Sequence, residues 1–413
     1  MMCDNVGMPR VGGLEGGAWS APYALAKPSK FVTKPALGYP KTDALDALPK
    51  GVPAKLHPKA PVSADEVMVA SYNIENLFDT VEDKSAKDND QFTPDGDYKW
   101  TEAKLAKKIA NLGDSVRAMN GGKGPDILAL NEVENAAIVE RLRDEGLAEL
   151  GYTTLCHLDT EDKRGIDNAI LSRWPLIGEP KLHTVHNPGD PLWKDQKTRG
   201  ILEATFDVKG VPLTVFVNHW PAGVDWPERK LQREDVGKQL RAIIEAKLAI
   251  DPEAEIMVMG DFNASPGESS FGNNGLGASG DPEVVKQKKA PLYGTIACLA
   301  DQIRASQGKA PLKALEAVDG LLKDDGPTMG THWDSYSKKW NTFDQIFVSR
   351  GLLDDKGLAW VSGSTQIGRT QAITNTNGKP RSTFPNGTYS EHAVQSIGVS
   401  DHYPLIARLV RKA

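Results

Sequence analysis

Gly260-Asp261-Phe262-Asn263 places a carboxylate and an amide two residues apart, directly after the apolar run Ile256-Met257-Val258-Met259. Alternate residues of an extended chain point the same way, so Asp261 and Asn263 share a face where a buried strand ends. A carboxylate there can orient water, and an amide can hold an oxyanion. An Asx turn would use the same pair, because Asp and Asn favour turns. The pattern recurs along the chain. Apolar runs end on Asn73 and Glu75, on Glu132 and on His219; Asp401-His402 precedes the last run, and Asp344 lies inside another. Charged groups beside apolar runs are uncommon unless they are paired or bind a cation. Taken alone, a histidine at a strand end is more often a satisfied polar residue than a catalyst. Several carboxylates with amides and histidines, and no cysteine among them, describe a hard oxygen-ligand site, which suits Mg2+ or Mn2+ better than zinc. Two histidines and such a cation suit cleavage of a phosphate ester, where charge must be neutralised and a leaving oxygen helped away. Arg164 and Asn168, where a polar loop enters a strand, are candidates for phosphate contacts, since a guanidinium forks onto phosphate oxygens. A surface salt bridge is the other ordinary use of Arg164.

Strands must carry these groups. Apolar content predicts strands within residues 67–73, 125–132, 164–172, 256–263, 340–349 and 405–410, and a hairpin of 200–209 with 211–218 about Lys209-Gly210. A helix is expected from about 101 to 119, with Leu105, Ile109, Leu112, Val116 and Met119 on one face and Gly121-Gly122 stopping it. Others are expected over about 136–150, 301–322 and 227–250. In the last of these, Leu231, Leu240, Ile243, Ile244 and Leu248 face inward and the charges form a solvated face. Residues 1–64 carry glycines and then closely spaced prolines, which regular elements cannot persist through, so they read as an extended arm before a domain over 65–413. Residues 264–340 form a long insertion without a readable motif, and 365–398 a polar surface loop containing Arg381.

The totals narrow the field. A net charge of −6 over 413 residues argues against coating nucleic acid by bulk positive charge, but leaves room for an enzyme that touches a few phosphates. Cys3, Cys156 and Cys298 form neither a disulfide framework nor a zinc site. No apolar run approaches the ~18 residues of a membrane span, so no integral membrane contact is expected. The first residues show no charged-then-apolar leader. Either the protein stays inside or its leader lies outside this sequence.

The chain resembles the endonuclease/exonuclease/phosphatase superfamily, which includes DNase I-like and apurinic-endonuclease-like enzymes, sphingomyelinases and inositol polyphosphate 5-phosphatases. The segments that carry the resemblance are Ser71-Tyr72-Asn73-Ile74-Glu75-Asn76-Leu77, Asn131-Glu132, Asn218-His219-Trp220-Pro221, Gly260-Asp261-Phe262-Asn263, Phe343-Asp344-Gln345-Ile346 and Ser400-Asp401-His402, in family order from about Val67 onward. The form of the first and third is similar to bacterial members, often secreted. The resemblance implies a DNase I-like four-layer α/β sandwich, with two mixed β-sheets packed together and helices outside. It implies a Mg2+ or Mn2+ cofactor held chiefly by Glu132, with Asn73, Glu75 and Asp401 near the ion. Asp261 would orient or deprotonate the attacking water, and Asn263 would hold a non-bridging oxygen. His402, held by Asp344, would bind the scissile phosphate, and His219 would assist from the opposite side. The expected activity is phosphodiester hydrolysis, as a nuclease on DNA or RNA. The alternatives are a phosphatase or lipid phosphodiesterase, and a binding protein with a dead site. Arg164, Arg199 and the Arg381 loop are candidates for the cationic groove a nuclease needs. A monomer, secreted or periplasmic, is the expected state.

Overall fold

Burial on both faces explains the composition of the first strand. Val67 and Val69 enter one apolar cluster, while Met68, Ala70 and Tyr72 enter another. The computed structural model describes residues 65–83, 90–186, 189–194, 197–306, 308–311, 315, 330–384 and 393–412; the expected arm over 1–64 lies outside them. In chain order the first strands are β1 (Glu66–Leu77), β2 (Ile127–Val133), β3 (Thr154–His157), β4 (Asp167–Ser172) and β5 (Lys181–His183). Then come β6 (Ile201–Val208), β7 (Val211–His219), β8 (Glu255–Asp261), β9 (Tyr293–Gly294) and β10 (His332–Asp334). The last are β11 (Lys339–Asn341), β12 (Asp344–Val348), β13 (Leu358–Trp360), β14 (Gln366–Ile367) and β15 (Leu405–Arg411).

They form two mixed sheets and a hairpin. One sheet runs β13-β15-β1-β2-β4-β3, with β14 also on β15; the other runs β5-β6-β7-β8-β12-β9; β10 and β11 pair alone. Each large sheet has one parallel pair near its centre, β1 with β2 and β7 with β8. Parallel neighbours bring their carboxyl ends to the same edge. The strand β12 runs antiparallel to β8 and starts where β8 ends, Asp344 opposite Asp261. Likewise β15 starts beside Ser71, near the end of β1. The strand ends singled out in the sequence therefore gather on one rim.

The first cluster lies between the sheets and extends to Val236, Leu240 and Ile244 of α3 (Pro227–Ile250). On the far side of the other sheet, α1 (Glu102–Arg117) packs Leu105, Ile109, Leu112 and Val116 into the second cluster. With the two sheets between these helices, the arrangement is the expected four-layer α/β sandwich. The β6–β7 hairpin forms as expected, with positive φ at Lys209 and Gly210 giving the turn its hand. Gly260 cannot be replaced, because a Cβ there would lie 1.9 Å from the Asn218 carbonyl oxygen.

Three helix expectations need correction. Leu231 of α3 is 52% exposed, whereas Arg233 is fully buried. The inward stripe runs through Gln232, Arg233, Val236, Leu240 and Ile244, one position round from Leu231. The segment after residue 136 is helical only to Arg141 before it widens into a π turn over Leu142–Gly146. The helix expected over 301–322 begins earlier, at Ile296, and is described to Ser306; residues 312–314 and 316–329 lie outside the described set.

One buried ion group makes a pH-dependent contribution. Glu203 of β6 is 5% exposed and accepts from His183 of β5 and Lys247 of α3 at 2.7 Å each. Burial alone would raise its acid, but these two partners outweigh burial and hold it down at about 2. A depressed folded value stabilises the fold above the ordinary glutamate range and is lost as pH falls from about 4.5 towards 2. Glu203→Gln should therefore lower the melting temperature by about 5 °C at pH 7, for about 2–3 kcal/mol. The gap from wild type should close as pH falls through that window. An equal gap at pH 7 and pH 3 in thermal melts would reject this role.

Candidate active site

Three buried amides bolt the sheets together beneath the rim. Asn131 of β2 donates to Asn168 Oδ1 at 2.6 Å and to the Asn218 carbonyl at 2.9 Å, and its own oxygen accepts from the Asp261 amide at 3.1 Å. Asn218 holds the Trp220 indole N–H at 3.0 Å. Asn168 spends its amide nitrogen on the Gly200 and Val217 carbonyls and is 1% exposed. The reading of Asn168 as a phosphate contact is corrected: it is an internal strut, and buried amides keep such partners.

Above these struts the backbone is strained. Glu132 and Asn263 have φ of 65° and 47°, and Glu75 and Asn76 have 51° and 59°. Non-glycine residues adopt these angles rarely and at some cost. Both neighbouring ladders slip register here, between Asn73 and Leu77 and between Asn131 and Val133. Such bulges re-aim side chains. Glu132 is turned towards the rim, its two oxygens held by Asn73 Nδ2 at 3.1 Å and the Asn76 amide at 3.0 Å. Asn73 donates also to Asp261 Oδ2 at 3.0 Å, so it ties the two carboxylates together through its nitrogen. Its oxygen faces the Glu75 amide at 2.9 Å.

Glu75 turns the other way. Its carboxylate accepts from Ser382 Oγ at 2.6 Å and the Thr383 amide at 2.5 Å. Burial, and then the nearby Asp401 charge, push its acid up to about 8. Glu75 is thus spent on Ser382 and Thr383 and is not one of the side chains lining the cleft, which corrects its expected place beside an ion. Buried Lys108 of α1 fastens the same corner, donating to the Ile74 carbonyl at 2.6 Å, the Glu75 carbonyl at 3.1 Å, Thr383 Oγ1 and the Val399 carbonyl.

The rim encloses a cleft of about 440 Å3, lined among others by Glu132, Arg164, Arg199, His219, Asp261, Asn263, His332, Asp401 and His402. Five near-contacts cross it in series. His219 Nε2 lies 3.8 Å from Glu132 Oε1 and 3.7 Å from Asp261 Oδ2. His402 Nε2 lies 3.7 Å from the same Asp261 oxygen and 3.9 Å from Asp401 Oδ1, and His332 Nε2 lies 3.6 Å from Asp401 Oδ2. These separations exceed hydrogen-bond length, so the groups face one another without being spent on one another.

Of the three histidines lining the cleft, His402 and His219 are shifted in opposite directions. His402 hydrogen-bonds Asp344 Oδ2 through Nδ1 at 2.8 Å, and Asp344 is fully buried behind it. Burial works against its charge, but Asp344 and Asp261 outweigh burial and raise His402 well above the ordinary histidine range. His219 is pushed well below that range by burial, then by Arg199, Arg164 and His402. Its Nδ1 is buried and lacks a hydrogen-bond partner among the described residues. The proton is therefore held more tightly on His402 than on His219. Asp261 has its acid raised by burial, and its Oδ1 accepts from the Asn263 amide at 2.8 Å. Asn263 gives one amide proton to the Trp220 carbonyl at 3.0 Å and keeps a second. Arg164 reaches the cleft and also donates to Asn76 Oδ1.

His332 escaped the sequence reading. It sits on β10, inside the insertion, with no long apolar run to mark it. Asn341 Nδ2 lies 3.3 Å from its Nδ1, and its ring stacks on Phe343 at 5.2 Å. One ligand atom each from His332, Asp401 and His402 lie within 4.8 Å of one another, a group that could hold a metal ion. The signal available in sequence was faint: a histidine twelve residues before Asp344, on the hairpin that leads into that strand. Arg233 was also missed. It forks onto Glu268 at 2.7 and 2.8 Å and holds the Pro221 carbonyl at 3.1 Å, which pins the turn after His219.

The sequence matches the Endonuclease/Exonuclease/phosphatase family over residues 68–309 and 297–411. A comparison with curated proteins finds no match. Among solved structures the chain is similar to TDP2 from C. elegans, at 15% identity and a TM-score of 0.47, covering 85% of this chain and 77% of that one. It is similar to the endonuclease/exonuclease/phosphatase from Beutenbergia cavernae, at 16% identity and a TM-score of 0.45, covering 84% and 72%. The human Nocturnin catalytic domain with bound sulfate anion is similar at 16% identity and a TM-score of 0.43, covering 84% and 94%. No described helix is long and apolar enough to cross a membrane.

Proposed function

The chain belongs to the Endonuclease/Exonuclease/phosphatase family, and from that premise we propose that it is a divalent-metal-dependent phosphodiester hydrolase, specifically a nuclease acting on DNA or RNA. The observation that carries this reading is the series Glu132, His219, Asp261, His402, Asp401, each within 3.9 Å of the next across one open cleft. Acids and bases at that spacing can share a phosphate and a water.

The residues fit a hard cation. Glu132 is fixed by two N–H donors, and among the described residues neither it nor Asp401 is paired with a lysine or arginine. Asp401 and His332, whose ligand atoms converge, would hold Mg2+ or Mn2+, the imidazole nitrogen favouring Mn2+, while Glu132 offers a separate carboxylate at the other end of the series. The bound ion would neutralise phosphate charge and lower the cost of the extra charge in the transition state.

The chain's own groups supply the rest. Asp261 holds the attacking water and takes its proton; its raised proton affinity makes it a stronger base than an exposed aspartate. Neutral His219, on the other side of the same carboxylate oxygen, orients that water. The His402 imidazolium donates from Nε2 to a non-bridging oxygen, and Asn263 donates its second amide proton. Arg164 and Arg199 add cations to the cleft wall for neighbouring phosphates.

A second reading, a lipid phosphodiesterase, draws on one observation. Val224 and Trp226, in the turn that follows cleft residues Pro221 and Ala222, are 40% and 62% exposed and form an apolar lip. A substrate panel separates the two. Plasmid DNA, single-stranded DNA, RNA, bis-nitrophenyl phosphate, mono-nitrophenyl phosphate and sphingomyelin vesicles would each be tested with Mg2+, with Mn2+ and with EDTA. The nuclease reading expects nucleic acid and the diester to be cleaved, vesicles spared and EDTA to abolish turnover. Cleavage confined to vesicles selects the lipid reading, and EDTA-resistant turnover rejects the metal.

A further inference from the structure

A second hollow, of about 450 Å3, lies beside the cleft and shares a wall with it. The shared wall is the start of β10. His332 lines the cleft, and the next residue, Trp333, lines the second hollow. Successive side chains of a strand point to opposite faces, so one short strand serves both. The Trp333 amide bonds the Asp401 carbonyl at 3.2 Å, which ties the wall to the cleft floor.

The hollow is cationic. Lys338, Lys379 and Arg381 line it, and among the described residues none of them pairs with a carboxylate. Elsewhere on this surface Arg117, Arg141, Arg143 and Arg241 each have an acidic partner within 3 Å. Clustered cations without acids are unexpected on a chain of net charge −6. The Lys379 ammonium lies 3.5 Å from the centre of the Trp333 ring, a contact that leaves its N–H donors open. Arg381 uses one nitrogen on the Ala372 carbonyl, at 2.9 Å, and has others to give. Asn375 and Asn377, on the same turn as Lys379, add side-chain amides to the lining, the Asn375 oxygen accepting from the Asn377 and Lys379 amides. The volume lies in the range of small-ligand pockets, about 300–1,000 Å3, which leaves room for more than an inorganic anion.

We propose that this hollow is a subsite for a flanking nucleotide of a single-stranded nucleic acid whose scissile phosphodiester sits in the cleft. The proposal rests on the nuclease reading and deepens it. Lys338, Lys379 and Arg381 bind the flanking phosphate, and the two asparagines face the base. Substrates too short to reach past β10 do not use it.

The test compares wild type with the Lys338→Ala/Lys379→Ala/Arg381→Ala variant on two substrates, a labelled single-stranded oligonucleotide and bis-nitrophenyl phosphate. The variant should raise KM for the oligonucleotide at least tenfold and leave kcat/KM for the small diester unchanged. The slope of log KM against log salt should become shallower by about 2, at about 0.7 per lost contact to a single strand. Binding of the same oligonucleotide in EDTA, read by fluorescence anisotropy, should weaken in parallel. An unchanged KM and salt slope would overturn the subsite while leaving the nuclease reading intact. Parallel loss on the small diester would overturn it too, by showing a defect in the cleft. A wild type that hydrolyses the small diester but no nucleic acid would reject the nuclease reading itself. Should Arg381→Ala unfold its loop, Lys338→Glu/Lys379→Glu carries the same comparison with a larger expected rise in KM.

Discussion

Asp261→Asn should yield a folded protein whose kcat on a phosphodiester is lower by about 10^3-fold or more, with KM little changed. The change removes a base and keeps the shape. Asp261 accepts from the Asn263 amide and from Asn73 Nδ2, and its Oδ2 also faces the Nε2 atoms of His219 and His402 at 3.7 Å. An amide can keep one of the two hydrogen bonds but must point a donor at the other donor, which costs about 1–2 kcal/mol. The variant should melt a few degrees lower and still fold. What it cannot do is take a proton from water. Stopped and continuous assays on bis-nitrophenyl phosphate, beside thermal melts, test this directly. Turnover within tenfold of wild type would remove Asp261 from the reaction.

The parts of this site that were legible in sequence are those marked by a contrast. Asp261, Glu132, His219 and His402 each stand next to an apolar strand, and a charge in that position has few uses. The convergence of those strand ends was legible only through the resemblance, because it depends on which strands pair in parallel, as β1 with β2 and β7 with β8 do. Glu75 shows where the contrast misleads. It has the same context as Glu132, an acid at the end of an apolar strand. Yet its carboxylate is taken by Ser382 and Thr383, some three hundred residues on, whereas that of Glu132 is held at the rim by Asn73 and Asn76. Asn168 failed for a related reason, since a buried amide and a phosphate-binding amide have the same sequence signature. His332, Lys108 and Arg233 were hidden because their partners are remote. An arginine in an amphipathic helix reads as solvated until Glu268 and the Pro221 carbonyl are seen around it. Side-chain function was readable where the strand supplied the contrast, and unreadable where a distant loop supplied the partner.

His402→Ala should lower kcat by about 10^2–10^4-fold, and its effect on stability distinguishes catalysis from packing. His402 and Asp344 form a buried pair, with Nδ1 2.8 Å from Oδ2 and Asp344 fully inaccessible. Removing the histidine leaves that carboxylate without its partner, and its other oxygen, Oδ1, already has none among the described residues. Breaking a buried pair from one side costs about 3–5 kcal/mol, so His402→Ala should also melt markedly lower. Adding Asp344→Asn removes the stranded charge. The double variant should therefore regain much of the lost melting temperature while its kcat stays as low as that of the single variant. Asp344→Asn alone keeps the imidazole but loses what fixes its tautomer and charge, and should lower kcat by about 10–100-fold. Recovery of activity together with stability in the double variant would mean that His402 acts only by holding the fold. Recovery of stability alone places its imidazolium on the substrate.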